Sequence, residues 1–384
     1  MRILHVGLFH KLGSGQRAQL EYERAAAQSL EGTIWETHTL TPAPERTDGG
    51  PRIPAWARRF QLAKLYAWWH IWRHGSQYDV VLMRSISPDP FAALMAPLVP
   101  NLLTIHHSKE IEEISLVTKG PRLALTLFLE GGFKRWAFRR LRGVVGVTEE
   151  IARYEAKRFP RASIVATYPN GIDIASFEIA EDPSPGPAPL RAVFVCSVFY
   201  AWHGLDRLLD ALKALPVADG PPPVVVDLVG TLDDEQQSQV EALVERGLVV
   251  VHGDLSSQEM LAVFKEARVA IASLALDRNS LRQASTLKVR QYLAAGLPVY
   301  STHVDAGLPS DFPYYFCDDH GFSVERMTAF HDALEDRSRV SVREAARRHV
   351  DKQAIMESLI SQLGAGHVPD STRDSTQNSH GPRP

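Results

Sequence analysis

Short runs of β-branched and aliphatic residues alternate with longer stretches of helical periodicity along most of the chain, and a proline-rich break divides this alternation into two series. The alternation constrains the fold strongly, because neighbouring parallel strands must be joined by a crossover, usually a helix. In the first series, strands are expected at Ile3–Gly7, Val80–Met83, Leu102–Ile105, Val144–Val147 and Ile164–Ala166. Helices are expected over Gln16–Leu30, Ala55–His74, Pro90–Leu98 and Pro121–Leu141. The stretch 181–189 reads Glu-Asp-Pro-Ser-Pro-Gly-Pro-Ala-Pro. It cannot be helix or sheet interior, since proline removes donors and fixes φ.

The second series places strands at Ala192–Ser197, Val224–Val229, Leu248–His252, Val269–Ala272 and Pro298–Ser301. Its helices fall near Leu205–Leu215, Asp233–Arg246, Ser257–Ala267 and Ser285–Ala295, with closing helices at Ser323–Asp336 and Val342–Leu363. The expected architecture is α/β, two Rossmann-like doubly wound domains facing a central cleft. The domains are read as 1–180 and 191–345, joined by a linker at 181–190 and followed by a closing helix at 346–363. Residues 364–384 lack periodicity and are rich in Asp, Ser, Thr, Gln, Asn, Gly and Pro, the composition of a disordered tail.

A chain of 384 residues with 45% apolar residues has ample core for two domains. A net charge of −3 argues against a nucleic-acid partner, which would call for a basic excess. Two cysteines, Cys196 and Cys317, make no disulfide framework and suit a reducing compartment. Met1–Gly7 is too short an apolar stretch for a signal peptide, and no apolar run reaches roughly 18 residues. The expected location is cytoplasmic, with a peripheral position at the inner face of the membrane as the variant.

Two stretches support that variant. Residues 52–74 hold Arg52, Arg58, Arg59, Lys64 and Arg73, no acid, and Trp56, Trp68, Trp69 and Trp72. Residues 131–142 hold Lys134, Arg135, Arg139, Arg140 and Arg142 around Trp136 and Phe138. Basic residues mixed with aromatics suit an anionic membrane surface. The apolar residues of the first stretch form no clean helical stripe, however, which equally suits a helix packed inside a domain.

In paired doubly wound domains, ligands bind beyond the carboxyl ends of the strands, so residues just after each strand carry the chemistry. Gly13-Ser-Gly15 follows the first strand and opens a helix, where backbone N–H groups and the helix dipole favour an anion, although a plain tight turn explains the glycines too. His106 and His107 end the Leu102–Ile105 strand and could bond a sugar hydroxyl or move a proton, or be polar loop residues. No metal-ligand spacing accompanies them. Thr148-Glu-Glu150 caps the next helix, and Tyr168-Pro-Asn-Gly-Ile-Asp173 has turn chemistry. Lys288 and Gln291 lie three apart at the start of the Ser285–Ala295 helix and share a face. A diphosphate there would meet free N–H groups together with the Lys288 ammonium.

Taken together these loops resemble glycosyltransferase family 4, a large GT-B group of retaining enzymes, over roughly residues 1–315. The similarity rests on Asn170-Gly-Ile-Asp173 before Phe177, Trp202-His-Gly-Leu205 before Leu208-Leu-Asp-Ala-Leu212, Val250–Leu255 with Ala262–Ile271, and Lys288–Val299 ending in Ala295-Gly-Leu-Pro-Val299. It implies sugar transfer from a nucleotide donor with retention and without an essential metal or other cofactor. The donor would contact Gly13, Gly15, Ser197, His203, Gly204, Ser285, Thr286, Leu287, Lys288 and Gln291. His106 and Lys288 would carry catalysis. The acceptor would be a glycan or lipid-linked molecule held mostly by the first domain.

The chain departs from the family where two glutamates eight positions apart are usual, because Gln283 and Gln291 stand there. Ser197 and His203 replace the usual Arg and Lys at the diphosphate, leaving Arg278, Arg282 and Arg290 as candidates for compensation. The alternatives are a non-catalytic GT-B partner subunit and a GT-B epimerase.

Overall fold

The computed structural model describes residues 1–42, 50–117, 120–128, 130, 132, 134–159, 161–179, 181–182, 189–217 and 220–365. Most of the proline-rich linker and the tail beyond Ala365 fall outside them.

The first half builds a parallel sheet of β1 (Arg2–Leu8), β2 (Ile34–Leu40), β3 (Val80–Arg84), β4 (Leu102–His106), β5 (Gly143–Gly146) and β6 (Ile164–Thr167), in the order β2-β1-β3-β4-β5-β6. The second half supplies β7 (Leu190–Val198), β8 (Val224–Thr231), β9 (Val249–Gly253), β10 (Val269–Ile271), β11 (Gln283–Ala284), β12 (Val299–Ser301), β13 (Val304–Asp305) and β14 (Tyr315–Cys317). β11 and β13 pair with each other, and the rest form a second parallel sheet, β14-β12-β10-β7-β8-β9. Central strands such as β1, β3 and β4 are buried along nearly their whole length, as sheets covered by helices on both faces require.

Each sheet reverses its strand order at its first strand, between β1 and β3 and between β7 and β10. Such switch points open a crevice beyond the strand ends. The loop after β1 ends at Gly13, the N-cap of a helix over Ser14–Ala27 whose first turn holds Gly15, and the turn after β7 carries His203 and Gly204.

Two glycines answer to backbone constraints here. Gly230 has φ 124°, and a Cβ on it would lie 1.5 Å from the Cys196 carbonyl oxygen, where the register between β7 and β8 shifts. Gly204 has φ 76° and begins the Leu205–Lys213 helix against the backbone of Leu274.

Several elements differ from the sequence reading. No strand was expected over Ile34–Leu40, whose alternation of Glu36 and His38 with buried Trp35 and Thr37 is that of an edge strand. The Pro121–Leu141 region contains shorter pieces, Pro121–Phe128, Lys134–Ala137 and a 3-10 turn at Phe138–Arg140. The Val342–Leu363 segment is two helices, Arg339–Val350 and Lys352–Ala365, separated at Asp351. At that break Ile172 forms a bridge with Asp351, and Lys352 N–H donates to the Ile172 carbonyl at 2.8 Å. The last helix crosses back, and Ile355, Met356, Leu359 and Leu363 join a core with Ile3, Leu82 and Val145 of the first domain.

Candidate active site

The Leu287–Ala294 helix follows β11 with Thr286 at its N-cap, and Thr286 makes no side-chain capping bond. Its Oγ1 is buried without a partner among the described residues, so the first-turn N–H groups are left without a side-chain cap. Lys288, half-buried, lays its ammonium 2.9 Å from Cys196 Sγ and 5.3 Å from the centre of the Phe194 ring. Burial pushes the Cys196 thiol up, so the sulfur stays protonated and offers no full charge. Lys288 has no carboxylate partner among the described residues.

Across the cleft, a Cβ on Gly15 would lie 3.4 Å from Leu287 Cδ1, so the start of the Ser14–Ala27 helix faces this helix end directly. The Gly13 N–H is taken by Gln16 Oε1 at 3.1 Å. Ser285 is buried and structural. Its Oγ accepts from Asn170 N–H at 2.8 Å and from Arg290 at 3.1 Å, and its carbonyl accepts from Asn170 Nδ2 at 2.5 Å. The Asn170-Gly-Ile-Asp173 motif thus ties the domains together.

His203 is half-buried beside Lys288, and its Nδ1 accepts from Tyr200 N–H at 3.1 Å. Burial and the Lys288 charge bring its pKa down to about 3, so the ring is neutral at ordinary pH. It contributes hydrogen bonding and no charge. Ser197 is exposed at the end of β7. Gln291 lines a cavity of about 540 Å3 with Val195, Leu255, Ser256, Met260 and Phe264. Its amide has no protein partner among the described residues.

Gln283 is differently employed. Its Oε1 accepts from the Glu150 N–H at 2.9 Å, while the Glu150 carboxylate takes the N–H groups of Arg282 and Gln283 at 2.9 and 2.8 Å. Lys109 joins this clasp, 2.8 Å from both Glu150 Oε1 and the Ser280 carbonyl. A second carboxylate at position 283 would repel Glu150, and a neutral amide avoids that.

Two of the three arginines named as candidates for compensation are occupied. Arg290 is fully buried against Asp305, and Arg278 pairs with Asp206 at 2.6 Å. Arg282 is exposed.

His106 does not face the cleft. It is fully buried, with Nδ1 2.9 Å from Glu110 and Nε2 2.8 Å from Thr104 Oγ1. Together with Glu155 it has the ligand types of a metal site. Cations of the protein already fill that role, because Lys134 lies 2.8 Å from Glu110 and 2.9 Å from Glu130, and Arg158 pairs with Glu155. His107, one residue on, lines a cleft pocket with Arg84, whose Nη1 is 3.1 Å from its Nε2. Adjacent strand residues point to opposite faces, so the two histidines cannot share a role.

Sequence reading also passed over the floor of that pocket. His5, Glu23, Tyr168 and Lys352 meet there from four distant segments, and no local motif announces them.

Comparisons with known proteins agree with this architecture. Residues 22–176 match the family model described as Glycosyltransferase Family 4, and residues 189–336 match Glycosyl transferases group 1. No curated protein sequence matches. Among solved structures, the apo lipopolysaccharide outer core galactosyltransferase WaaB is similar at TM-score 0.59 and 11% identity, covering 96% of this chain and 100% of its own. Sucrose-phosphate synthase of Thermosynechococcus elongatus is similar at TM-score 0.56 and 16% identity, with 96% and 100% coverage. Anabaena HepE, solved with UDP-glucose, gives 0.56 and 15% over 95% and 100%. With both halves matched in order and two facing Rossmann-like domains, the chain belongs to the family 4 glycosyltransferases of the GT-B fold.

Proposed function

We propose that this protein transfers a sugar from a nucleoside-diphosphate donor to an acceptor hydroxyl with retention of configuration. The observation that carries the reading is the uncapped start of the Leu287–Ala294 helix, where Lys288 has no carboxylate partner among the described residues and the Gly13–Gly15 helix start lies opposite. Helix N–H groups and the ammonium together suit a leaving diphosphate. His203 donates through its neutral ring, and Gln291 reaches the ribose hydroxyls from the cavity that would take the nucleoside. The acceptor hydroxyl attacks from the face the diphosphate leaves, and a phosphate oxygen takes its proton. This route needs no protein nucleophile.

A thermal-shift screen against UDP-, GDP-, ADP- and dTDP-sugars tests the reading. One nucleotide class is expected to raise the melting temperature, by the equivalent of about 2.7 kcal/mol at a hundredfold excess over Kd. No shift with any class would favour a non-catalytic partner subunit, for which the use of Gln283 in the interdomain clasp is the supporting observation.

We further infer peripheral contact with an anionic bilayer through the first domain. No described helix is long and apolar enough to cross a membrane. The Phe60–His74 helix divides its residues between two faces. Trp68, Ala67 and Ile71 are fully buried, and Lys64 donates inward to the Pro88 carbonyl at 2.5 Å. Trp69 and Trp72 are 44% and 47% exposed, alongside Trp56 at 60% and Leu98 at 54%. These four border one shallow groove of about 740 Å3 rimmed by Arg52. Arg58, Arg59 and Arg73 are exposed on the same segment, which suits aromatic insertion at lipid headgroups. Co-sedimentation with vesicles containing phosphatidylglycerol is expected, and with pure phosphatidylcholine it is not. Trp69→Ala with Trp72→Ala should release the protein into the supernatant; equal retention of this variant would remove the surface from the account.

A further inference from the structure

A pocket of about 290 Å3 lies beside the first turns of the Ser14–Ala27 helix, bounded by the first domain and closed on one side by Leu287 and Asn170. Its floor is a buried polar cluster. Glu23, 3% exposed, takes His5 Nδ1 at 2.6 Å, Thr37 Oγ1 at 2.5 Å and Trp35 Nε1 at 3.2 Å on one oxygen, and the Tyr168 hydroxyl at 2.7 Å on the other. Burial opposes its ionisation, but the His5 charge and hydrogen bond, with Lys352 and Thr37, outweigh this and hold its carboxyl well below the usual range. Glu23 is therefore a saturated anion serving its own neighbours.

Two groups on the walls, Lys352 and His5, are not saturated in this way. Lys352, 3% exposed, has its ammonium 3.9 Å from Glu23 Oε2, beyond hydrogen-bond distance, and 3.9 Å from the centre of the Tyr168 ring. His5, 7% exposed, has an Nε2 with no partner among the described residues. Arg84 stacks 4.9 Å from the Phe9 ring centre and reaches His107. An ionised carboxylate accepts only, so His5 Nδ1 must donate to Glu23, and Nε2 is the ring atom left for a ligand.

We propose that this pocket seats a compact oxyanion, a carboxylate or phosphate, belonging to the acceptor. Lys352 and Arg84 supply the charge, and His5 donates through Nε2, the ring atom that Glu23 leaves open. The two positive charges of Lys352 and Arg84 exceed the one negative charge of Glu23, whose oxygens are already engaged, and a buried ammonium without hydrogen-bond acceptors among the described residues gains most from a new anion. Burial outweighs the attraction of Glu23 and lowers the Lys352 pKa to about 8, consistent with an ammonium short of negative neighbours. The assignment of the anion to the acceptor rests on the transferase reading above; the pocket itself does not.

The test is a titration of inorganic phosphate, with acetate as the carboxylate arm, against chloride at matched ionic strength, followed by thermal shift. A saturable rise is expected for the natural protein and for Lys288→Met, with at least about tenfold weaker binding for Lys352→Met. Whichever arm binds more tightly identifies the oxyanion. Binding that survives in Lys352→Met but disappears in Lys288→Met would put the anion at the donor helix and overturn the proposal. So would the lack of saturation by either anion up to tens of millimolar. A second measurement needs no pocket variant: the ring nitrogen resonances of His5, assigned through His5→Gln, should move with the same midpoint as the thermal shift. Static His5 signals through saturating anion would also overturn it. The nucleotide-sugar screen is independent, so a protein that binds phosphate at Lys352 but no donor loses the transferase reading and keeps the pocket.

Discussion

Lys288→Met is expected to lower turnover of a nucleotide-sugar donor by ~10²–10³-fold while leaving the fold intact. The substitution keeps the apolar stem against Phe194 and removes an ammonium whose protein contacts are a protonated thiol and an aromatic face. No buried carboxylate is left unpaired, so stability should change little. The rate effect is large because Arg290 is engaged on Asp305 and Arg278 on Asp206, and because His203 is neutral. Charge grows on the diphosphate as the glycosidic bond breaks, so kcat should fall more than donor affinity. Steady-state kinetics with the donor found in the thermal-shift screen, alongside calorimetric donor binding, decides this. An unchanged kcat would remove Lys288 from the mechanism.

Arg290→Met should act on stability instead, costing about 3–5 kcal/mol. Arg290 is fully buried. It pairs with Asp305, donates to the Asn170 carbonyl at 3.0 Å and reaches Ser285 Oγ at 3.1 Å. Its loss leaves Asp305 buried with the Gly307 N–H at 2.9 Å as its remaining bond, an uncompensated charge in a dry site. The loss is a large share of a typical folding free energy, about 5–15 kcal/mol. Chemical denaturation measures it. Adding Asp305→Asn removes the stranded charge and should restore part of the stability; a double variant no more stable than Arg290→Met alone would show that the loss lies in packing or in the Asn170 and Ser285 contacts.

The two domains and their order were legible because the signals are local. β-branched runs such as Val80–Met83 and Val224–Val229 specify buried parallel strands, and Gly296 with Pro298 marks where one helix stops and the next strand begins. The loops after those strands could be named for the same reason. Ile34–Leu40 was missed because an edge strand with Glu36, Thr37, His38 and Thr39 in its interior carries too little apolar signal. The break at Asp351 was missed because both flanking helices are periodic, and the chain turns there to pair with Ile172, far away in sequence.

Within the site, sequence determined that a lysine and two glutamines stand at and near the start of the Leu287–Ala294 helix, that glycines follow the first strand, and that two histidines end the fourth. Tertiary structure alone decided what each does. It turned His106 inward to Glu110 and His107 toward the cleft, committed Gln283 to Glu150 and Arg290 to Asp305, and left Lys288 without an acid. It also gathered His5, Glu23, Tyr168 and Lys352 into one buried cluster. The physical reason is common to all of these. Strand and helix periodicity is written in near neighbours, whereas a side chain's partner, burial and charge depend on segments brought together only when both sheets and the returning C-terminal helix have packed.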